Sequence, residues 1–363
     1  MPISLNSASQ GQKYEPVDAD LILSYRESQN GQILEEGITE AGAMASFAAA
    51  GTAYSTWGYP MIPFFTFYSM FGYQRVGDLI WALADARGRG FLMGATAGRT
   101  TLLGEGLQHQ DGHSPLMFSA VPPCQVYDPA FAFELALIIE DGCRRMYVDG
   151  EDVFYYLTVY NENYVMPPMP DDLDREGLLA GLYRWAPAPE VSGEVKGHAA
   201  LLFSGTTYLV AQKAAEELAA HYGVAAELWS ATSYKRLRED AMAVERWNRL
   251  HPTEAQRTPY VTERLAGVDG PVVAVSDFVR AVPDQISRWV PGDWLSLGTD
   301  GFGRSDTRAA LRRFFEIDHA HVVVGVLAQL ALRGEIKTET VAEAIRRYEI
   351  DPDLPDPWSL AVS

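Results

Sequence analysis

The sequence predicts an α/β protein with two layered domains. In both halves of the chain, short apolar runs typical of buried strands alternate with helical patterns, which favours largely parallel sheets covered by helices. A break rich in proline, glycine and charge at about 166–197 separates the two halves. The length of 363 residues also suits about two domains. We therefore expect domains at 1–190 and 191–363.

In the first half, helices and strands are predicted in alternation. Helical patterns cover 18–28, 31–53, 76–88 and 128–146, and strand patterns cover 60–67, 90–96 and 152–162. The second half repeats the alternation. A strand and turn cover 199–208, strand patterns cover 224–234 and 271–278, a strand and loop cover 294–303, and helical patterns cover 209–223, 279–290 and 340–350.

Composition narrows the function classes. The net charge is −19 without a basic stripe, so nucleic acid is not an expected partner. The apolar runs look too short to span a membrane, and the N-terminus lacks an apolar signal core, so no membrane partner is expected. Two cysteines, Cys124 and Cys143, fit a reducing cytoplasm. We expect a cytoplasmic protein.

The stretch 94–114, "GATAGRTTLLGEGLQHQDGHS", combines a flexible backbone with ionisable side chains. His109 and His113 have the spacing of a helical zinc pair, but Gly112 opposes a regular helix and no third ligand suggests itself, so no metal ligand is assigned. "GEGLQH" lacks the third glycine of a dinucleotide fingerprint. The run 298–306, "GTDGFGRSD", is either a phosphate-binding loop or a strand-to-helix turn.

A possible pocket is indicated by two further patterns. Glu36 and Glu40 are spaced as neighbours on the predicted helix 31–53, either on a solvated face or buried among small residues. A buried carboxyl without a positive partner is suited to proton transfer. The aromatic run 64–75, "FFTFYSMFGYQR", is either core or the wall of a cofactor pocket.

Long segments in a fixed order carry a family resemblance. They are "GQILEEGITEAGA", "PMIPFFTFYSMFGYQRVGD", "GATAGRTTLLGEGLQHQDGHS", "YDPAFAFELA", "NENYVMPPMP", "ERWNRLHP" and "LGTDGFGRSD". Together they resemble the thiamine-diphosphate-dependent decarboxylating component of the pyruvate dehydrogenase complex, in its homodimeric, transketolase-like form. The resemblance implies a pyrimidine-binding α/β domain followed by a transketolase C-terminal-like α/β domain.

The chain departs from that family in one respect. It resembles only the family's C-terminal part, opening after the first strand of the pyrimidine-binding domain, and it lacks the "GDG" motif that holds magnesium and the diphosphate. We therefore expect thiamine diphosphate and Mg²⁺ to be bound mainly by a partner chain that carries the diphosphate-binding domain. A natural split gene, forming a heterotetramer, and an excised fragment both remain open.

The resemblance also implies residue roles. Glu40 matches the glutamate that hydrogen-bonds N1′ of the aminopyrimidine, and His109 matches a histidine that donates to, or shuttles a proton for, the substrate. Ile38, Tyr68 and Phe71 match the pyrimidine pocket, with Phe71 stacking on the ring. Glu105 matches the substrate wall beside His109. Arg75 is interpreted as structural support, and Arg99 and His113 as residues that order the loop.

The sequence leaves three functions open. In the first, the enzyme decarboxylates pyruvate, a small 2-keto acid, and passes the acyl unit to a lipoyl or acyl-carrier domain. In the second, it transfers a two-carbon ketol unit from a ketose phosphate in a specialised biosynthetic pathway. In the third, the chain is a non-catalytic scaffold, against which the retention of Glu40, Tyr68, Phe71 and His109 argues.

Overall fold

The computed structural model describes residues 3–6, 17 and 25–359. The first domain is built on a parallel sheet with the spatial order Phe64–Phe67, Phe91–Ala95, Phe154–Val159, Cys124–Tyr127. Short parallel strands lie before it, at Ile3–Asn6, Tyr25–Ser28 and Ile33–Leu34. Its helices are Glu40–Gly51, Ala53–Thr56, Tyr73–Asp85, Ser114–Phe118, Ala132–Cys143 and Arg175–Ala180.

The second domain has a mixed sheet with the order Trp294–Leu297, Val272–Val275, Gly197–Phe203, Val224–Ser230, Tyr183–Ala186. The last of these strands is antiparallel to its neighbour and the others are parallel. Its helices are Tyr208–Glu217, Tyr234–Leu250, Tyr260–Leu265, Arg308–Phe314, His319–Leu332 and Thr338–Arg347, with 3₁₀ turns at Gly205–Thr207 and Pro283–Trp289. The predicted α/β class is confirmed.

Apolar residues continue along the central strands because both faces of each sheet are covered. In the first domain, Leu92 and Tyr156 belong to one buried cluster, whereas Phe91 and Tyr155 belong to the cluster on the opposite face. The second domain repeats this division, with Leu201, Phe203, Val273 and Val275 on one face and Ala200, Leu202, Val272 and Ala274 on the other.

Several predicted elements need correction. The helix predicted over 31–53 begins only at Glu40, because Gly37 has φ +70° and the Thr39 side chain caps the helix by accepting from the Gly42 N–H. The pattern at 18–28 is a strand where it is described, at Tyr25–Ser28, and its residues 18–24 lie outside the described residues. The amphipathic helix Tyr234–Leu250 was missed altogether.

The break at 166–197 also contains regular structure. A helix occupies Arg175–Ala180, and the strand Tyr183–Ala186 pairs with the second sheet. A boundary at 190 remains a prediction, but this strand places 183–186 with the second domain.

No apolar stretch long enough to span a membrane is expected from the sequence, but one stretch passes that test. By length and composition Arg308–Leu332 could cross a membrane, but half of it is buried inside the structure. It consists of two helices, and Val322, Val326 and Leu330 of the second helix belong to the core beside the mixed sheet. Burial in that core accounts for its apolar composition.

Candidate functional site

An aromatic cluster forms where two neighbouring strands of the first sheet end. A 3₁₀ turn, Ser69–Phe71, follows the strand Phe64–Phe67, and the glycine-rich loop follows the strand Phe91–Ala95. Because these strands are parallel, both segments leave the same edge of the sheet, where ligands bind in open α/β sheets. The cluster brings together Tyr68, Phe71 and His109.

The three rings meet edge to face. The His109 ring centroid lies 5.3 Å from that of Tyr68 and 5.1 Å from that of Phe71. The two aromatic rings are 5.8 Å apart. These separations are typical of favourable T-shaped contacts. Three residues that the sequence singled out separately therefore form one cluster.

Arg75 connects Glu40 to the rim of this cluster. The Arg75 Nη1 donates to Glu40 Oε1 over 2.9 Å, and the guanidinium lies 4.1 Å from the centre of the Phe71 ring. Glu40 is the first residue of its helix, and its side chain is 18% exposed. The expectation of a buried carboxyl in mid-helix without a positive partner is therefore wrong. Glu36 precedes the helix and accepts a hydrogen bond from Ser46.

In the single chain, Glu105 makes no hydrogen bond to His109, and Ile38 lies in solvent. The Glu105 Oε2 lies 3.7 Å from His109 Nδ1, which is beyond hydrogen-bonding distance. Among the described residues the buried Nδ1 of His109 has no hydrogen-bond partner. Ile38 is fully exposed and contributes no wall to the pocket of the isolated chain.

The other polar residues of the glycine-rich loop point elsewhere. The Nε2 atoms of His113 and Gln74 are 2.6 Å apart, and the buried Arg99 donates to the Thr299 and Gly301 carbonyls of the second domain. Burial lowers the pKa of Arg99, against the opposing influence of Asp111, Asp277 and Asp300. Within the described ranges, no group of three His, Cys, Asp or Glu side chains could hold a metal ion.

Two buried carboxyls next to this loop were missed by sequence reasoning. Asp277 accepts from the Thr100 N–H at 3.0 and 3.2 Å, and burial raises its pKa to about 7. Asp128 accepts from Thr158 and Tyr160, and burial likewise raises its pKa. The signal available in the sequence was the position of Asp277 just after the buried strand Val272–Val275.

The site therefore combines an aromatic wall, an imidazole with an unsatisfied nitrogen, and a carboxylate at a helix start. Such a set can bind a planar heteroaromatic ring by stacking and by a hydrogen bond to a ring nitrogen. The imidazole can exchange a proton with a reacting oxygen. The glycine-rich loop brings this imidazole to the pocket from the neighbouring strand.

Comparison with solved structures shows the fold. Transketolase from Campylobacter jejuni superposes with a TM-score of 0.60 at 18% identity, over 82% of this chain and 40% of that chain. A split-gene transketolase, described as an inactive β4 tetramer, gives a TM-score of 0.56 at 19% identity, over 83% of this chain and 84% of that one. The chain has the transketolase-like fold.

Sequence comparison then gives the family. Residues 4–167 match the pyruvate dehydrogenase E1 component middle domain, and 181–318 match the transketolase-like C-terminal domain. The pyruvate dehydrogenase E1 components of Pseudomonas aeruginosa and Escherichia coli K12 are 53% and 48% identical over 96% of this chain. The two matched parts of the chain are a pyruvate dehydrogenase E1 component middle domain and a transketolase-like C-terminal domain. The chain spans about two fifths of the length of these relatives, 39% in both cases.

Proposed function

We propose that this chain supplies the pyrimidine-binding and C-terminal parts of a thiamine-diphosphate-dependent enzyme that decarboxylates pyruvate and passes the two-carbon unit to a lipoyl domain. The observation that carries the proposal is the cluster of Tyr68, Phe71 and His109 beside the Glu40–Arg75 pair. The relatives named pyruvate dehydrogenase E1 component, at about half identity, support pyruvate over a ketose phosphate.

The residues present fit this cofactor. The His109 Nδ1 is a buried polar atom without a hydrogen-bond partner in the described part of the chain, so a ligand can satisfy it. The Glu40 carboxylate is partly exposed at the rim of the aromatic cluster and can reach a heteroaromatic nitrogen. The cofactor, when bound, supplies the carbon nucleophile that adds to a keto group and accepts the electrons released by decarboxylation.

Each residue of the chain then has a distinct role. Glu40 holds a proton shared with the ring nitrogen of the aminopyrimidine, and Phe71 and Tyr68 pack against that ring. His109 moves a proton to or from the oxygen of the substrate carbonyl. Glu105 stands behind His109, and Ile38 closes the pocket only after a partner chain has packed against it.

A second chain completes the proposed site. It carries the diphosphate-binding domain and holds the diphosphate and Mg²⁺, and we propose two copies of each chain around a twofold axis. The segment 57–64 supports such a contact, because Trp57, Tyr59 and Ile62 are 84%, 71% and 50% exposed. Exposed apolar patches of this kind mark protein–protein interfaces. A natural split gene would supply the second chain separately, as the split-gene transketolase illustrates for its own class.

Reconstitution tests the proposal. The chain is combined with a polypeptide carrying the diphosphate-binding domain, thiamine diphosphate and Mg²⁺, and it is assayed with pyruvate and with a ketose phosphate. We expect carbon dioxide release from pyruvate and acylation of an added lipoyl domain. Turnover of the ketose phosphate alone would replace the proposal by ketol transfer. No turnover of either substrate, despite assembly of the two chains, would favour a scaffold.

A further inference from the structure

The glycine-rich loop of the first domain is held by a loop of the second domain through Arg99, Ser305 and Gln110, and Gln110 makes bonds to both loops. Gln110 is 1% exposed and lies between the two loops. Its Nε2 donates to the Leu102 carbonyl at 2.8 Å and to the Arg304 carbonyl at 2.6 Å. Its Oε1 accepts from the Arg304 N–H at 2.6 Å. Both amide hydrogens are therefore engaged, and the bond from the Arg304 N–H fixes which end is oxygen.

The contact between the loop 298–306 and Gln110 leaves no room for a side chain at Gly303. A Cβ placed on Gly303 would lie 2.3 Å from Gln110 Oε1 and 3.1 Å from the Leu107 Cα. Ser305 Oγ also donates to the Gly104 carbonyl, at 3.4 Å. The Arg304 N–H that a phosphate cradle would present is already bonded to Gln110. The loop 298–306 is thus a support for the glycine-rich loop.

His109 depends on this support for its place in the pocket. Its ring is packed edge to face against Tyr68 and Phe71, while its Nδ1 lacks a hydrogen-bond partner in the described chain. Its backbone N–H bonds within the same loop, to the Gly106 carbonyl at 3.3 Å. Apart from Glu105 of the same loop, 3.7 Å from Nδ1, the imidazole has no polar partner in the described chain, so its position follows from that of the loop.

We propose that Gln110 is a positioning residue, which lets the second domain set the His109 imidazole between Tyr68 and Phe71. The bond from Gln110 to the Leu102 carbonyl closes the segment 102–110 into a loop. The bonds between Gln110 and Arg304 hold that segment against the second domain. Gln110 touches neither substrate nor cofactor in this scheme. The importance of His109 rests on the proposed function, but its placement is a property of the chain alone and can be measured without thiamine diphosphate.

Histidine NMR on the purified full chain tests the placement. The chain has seven histidines, and the His109 ring signal is assigned by its loss in His109→Gln. In Gln110→Glu the carboxylate cannot donate to the Leu102 and Arg304 carbonyls, so the loop loosens. We expect the His109 signal to lose the ring-current displacement caused by Tyr68 and Phe71. Amide hydrogens of 102–109 should exchange on the order of tenfold faster, with other regions unchanged.

The matched control is Gln108→Glu, the same chemical change at an exposed position in the same loop. It should leave both readouts as in the parent chain. If Gln110→Glu does not fold, the same two measurements are made on Gly303→Ala. Its added methyl group displaces the Gln110 side chain from the second domain. An unmoved His109 signal in a folded Gln110→Glu or Gly303→Ala chain overturns the proposal. The two proposals fail separately. An unmoved His109 signal does not bear on turnover by the complex, and absence of turnover does not bear on the position of His109 in the chain alone.

Discussion

Arg75 Nη1 donates a 2.9 Å hydrogen bond to Glu40 Oε1, joining the start of one helix to the next long helix of the first domain. The same guanidinium lies over the Phe71 ring. Arg75 is 51% exposed and Glu40 18%, so the ion pair itself contributes no more than about 1 kcal/mol to folding. The pair therefore serves the pocket more than the fold, and Glu40 can be replaced without unfolding the domain.

Glu40→Gln should abolish most thiamine-dependent turnover in the complex with the partner chain, by about 10²–10⁴-fold, because a general acid–base group is lost. The melting temperature should change little. Glu36→Gln is the control, since Glu36 is a nearby carboxylate that bonds Ser46 outside the aromatic cluster. Near-normal turnover in Glu40→Gln would remove Glu40 from the proposed site.

His109→Gln should lower turnover on the order of 10²-fold while sparing cofactor affinity, because His109 is assigned to the substrate oxygen. Steady-state kinetics and calorimetry with thiamine diphosphate on the complex separate the two effects. The control is His251→Gln, an exposed histidine stacked on Trp247 in the second domain. A large loss of cofactor affinity with unchanged turnover would contradict the assignment.

The sequence predicts the central strands well, because the pattern that reveals them lies within single segments. Runs such as 91–95 and 154–159 are apolar because both faces of the sheet are covered there, and that pattern is visible in single segments. The start of the helix at Glu40 could also have been predicted, because Thr39 followed by an acidic residue is a typical N-cap signal. The small-residue pattern obscured that signal.

The remaining features depend on contacts between distant residues. Glu40 and Arg75 are 35 positions apart, and Gln110 and Arg304 are 194 apart. Periodicity within a segment cannot reveal either pair. The sequence therefore suggested a buried, unpartnered Glu40, whereas the fold brings Arg75 to it. The support from the loop 298–306 likewise becomes visible only when the two domains are packed together.

Asp277 should make the stability of the chain depend on pH. Burial raises its pKa to about 7, against the opposing effect of Arg312, so the folded chain keeps a proton that the unfolded chain releases above about pH 4. The contribution of this group to the free energy of unfolding therefore falls as pH rises from about 4 to 7. Asp277→Asn should gain up to about 3 kcal/mol relative to the parent chain between pH 5 and pH 8.

Urea unfolding at the two pH values measures this difference. The exposed Asp269→Asn provides the control, and its stability relative to the parent chain should be the same at both pH values. Glu162 and Arg312 face the same buried region, so the comparison is made between variants at each pH rather than between pH values of one chain. An Asp277→Asn effect independent of pH would show that the buried carboxyl does not titrate in this range.

Assembly with the second chain should depend on the segment 57–64. Trp57 is 84% exposed in the isolated chain, and tryptophan side chains buried at the centre of an interface often contribute 2 kcal/mol or more to binding. Trp57→Glu should therefore weaken association with the chain carrying the diphosphate-binding domain by at least about 30-fold, without changing the melting temperature of the isolated chain. Sedimentation of the mixed chains and calorimetry with thiamine diphosphate and Mg²⁺ measure the effect. Trp358→Glu, the same change at a 69% exposed tryptophan of the second domain, is the control. Unweakened assembly in Trp57→Glu would exclude the segment 57–64 from the interface, whereas tight cofactor binding by the isolated chain would defeat the need for a second chain.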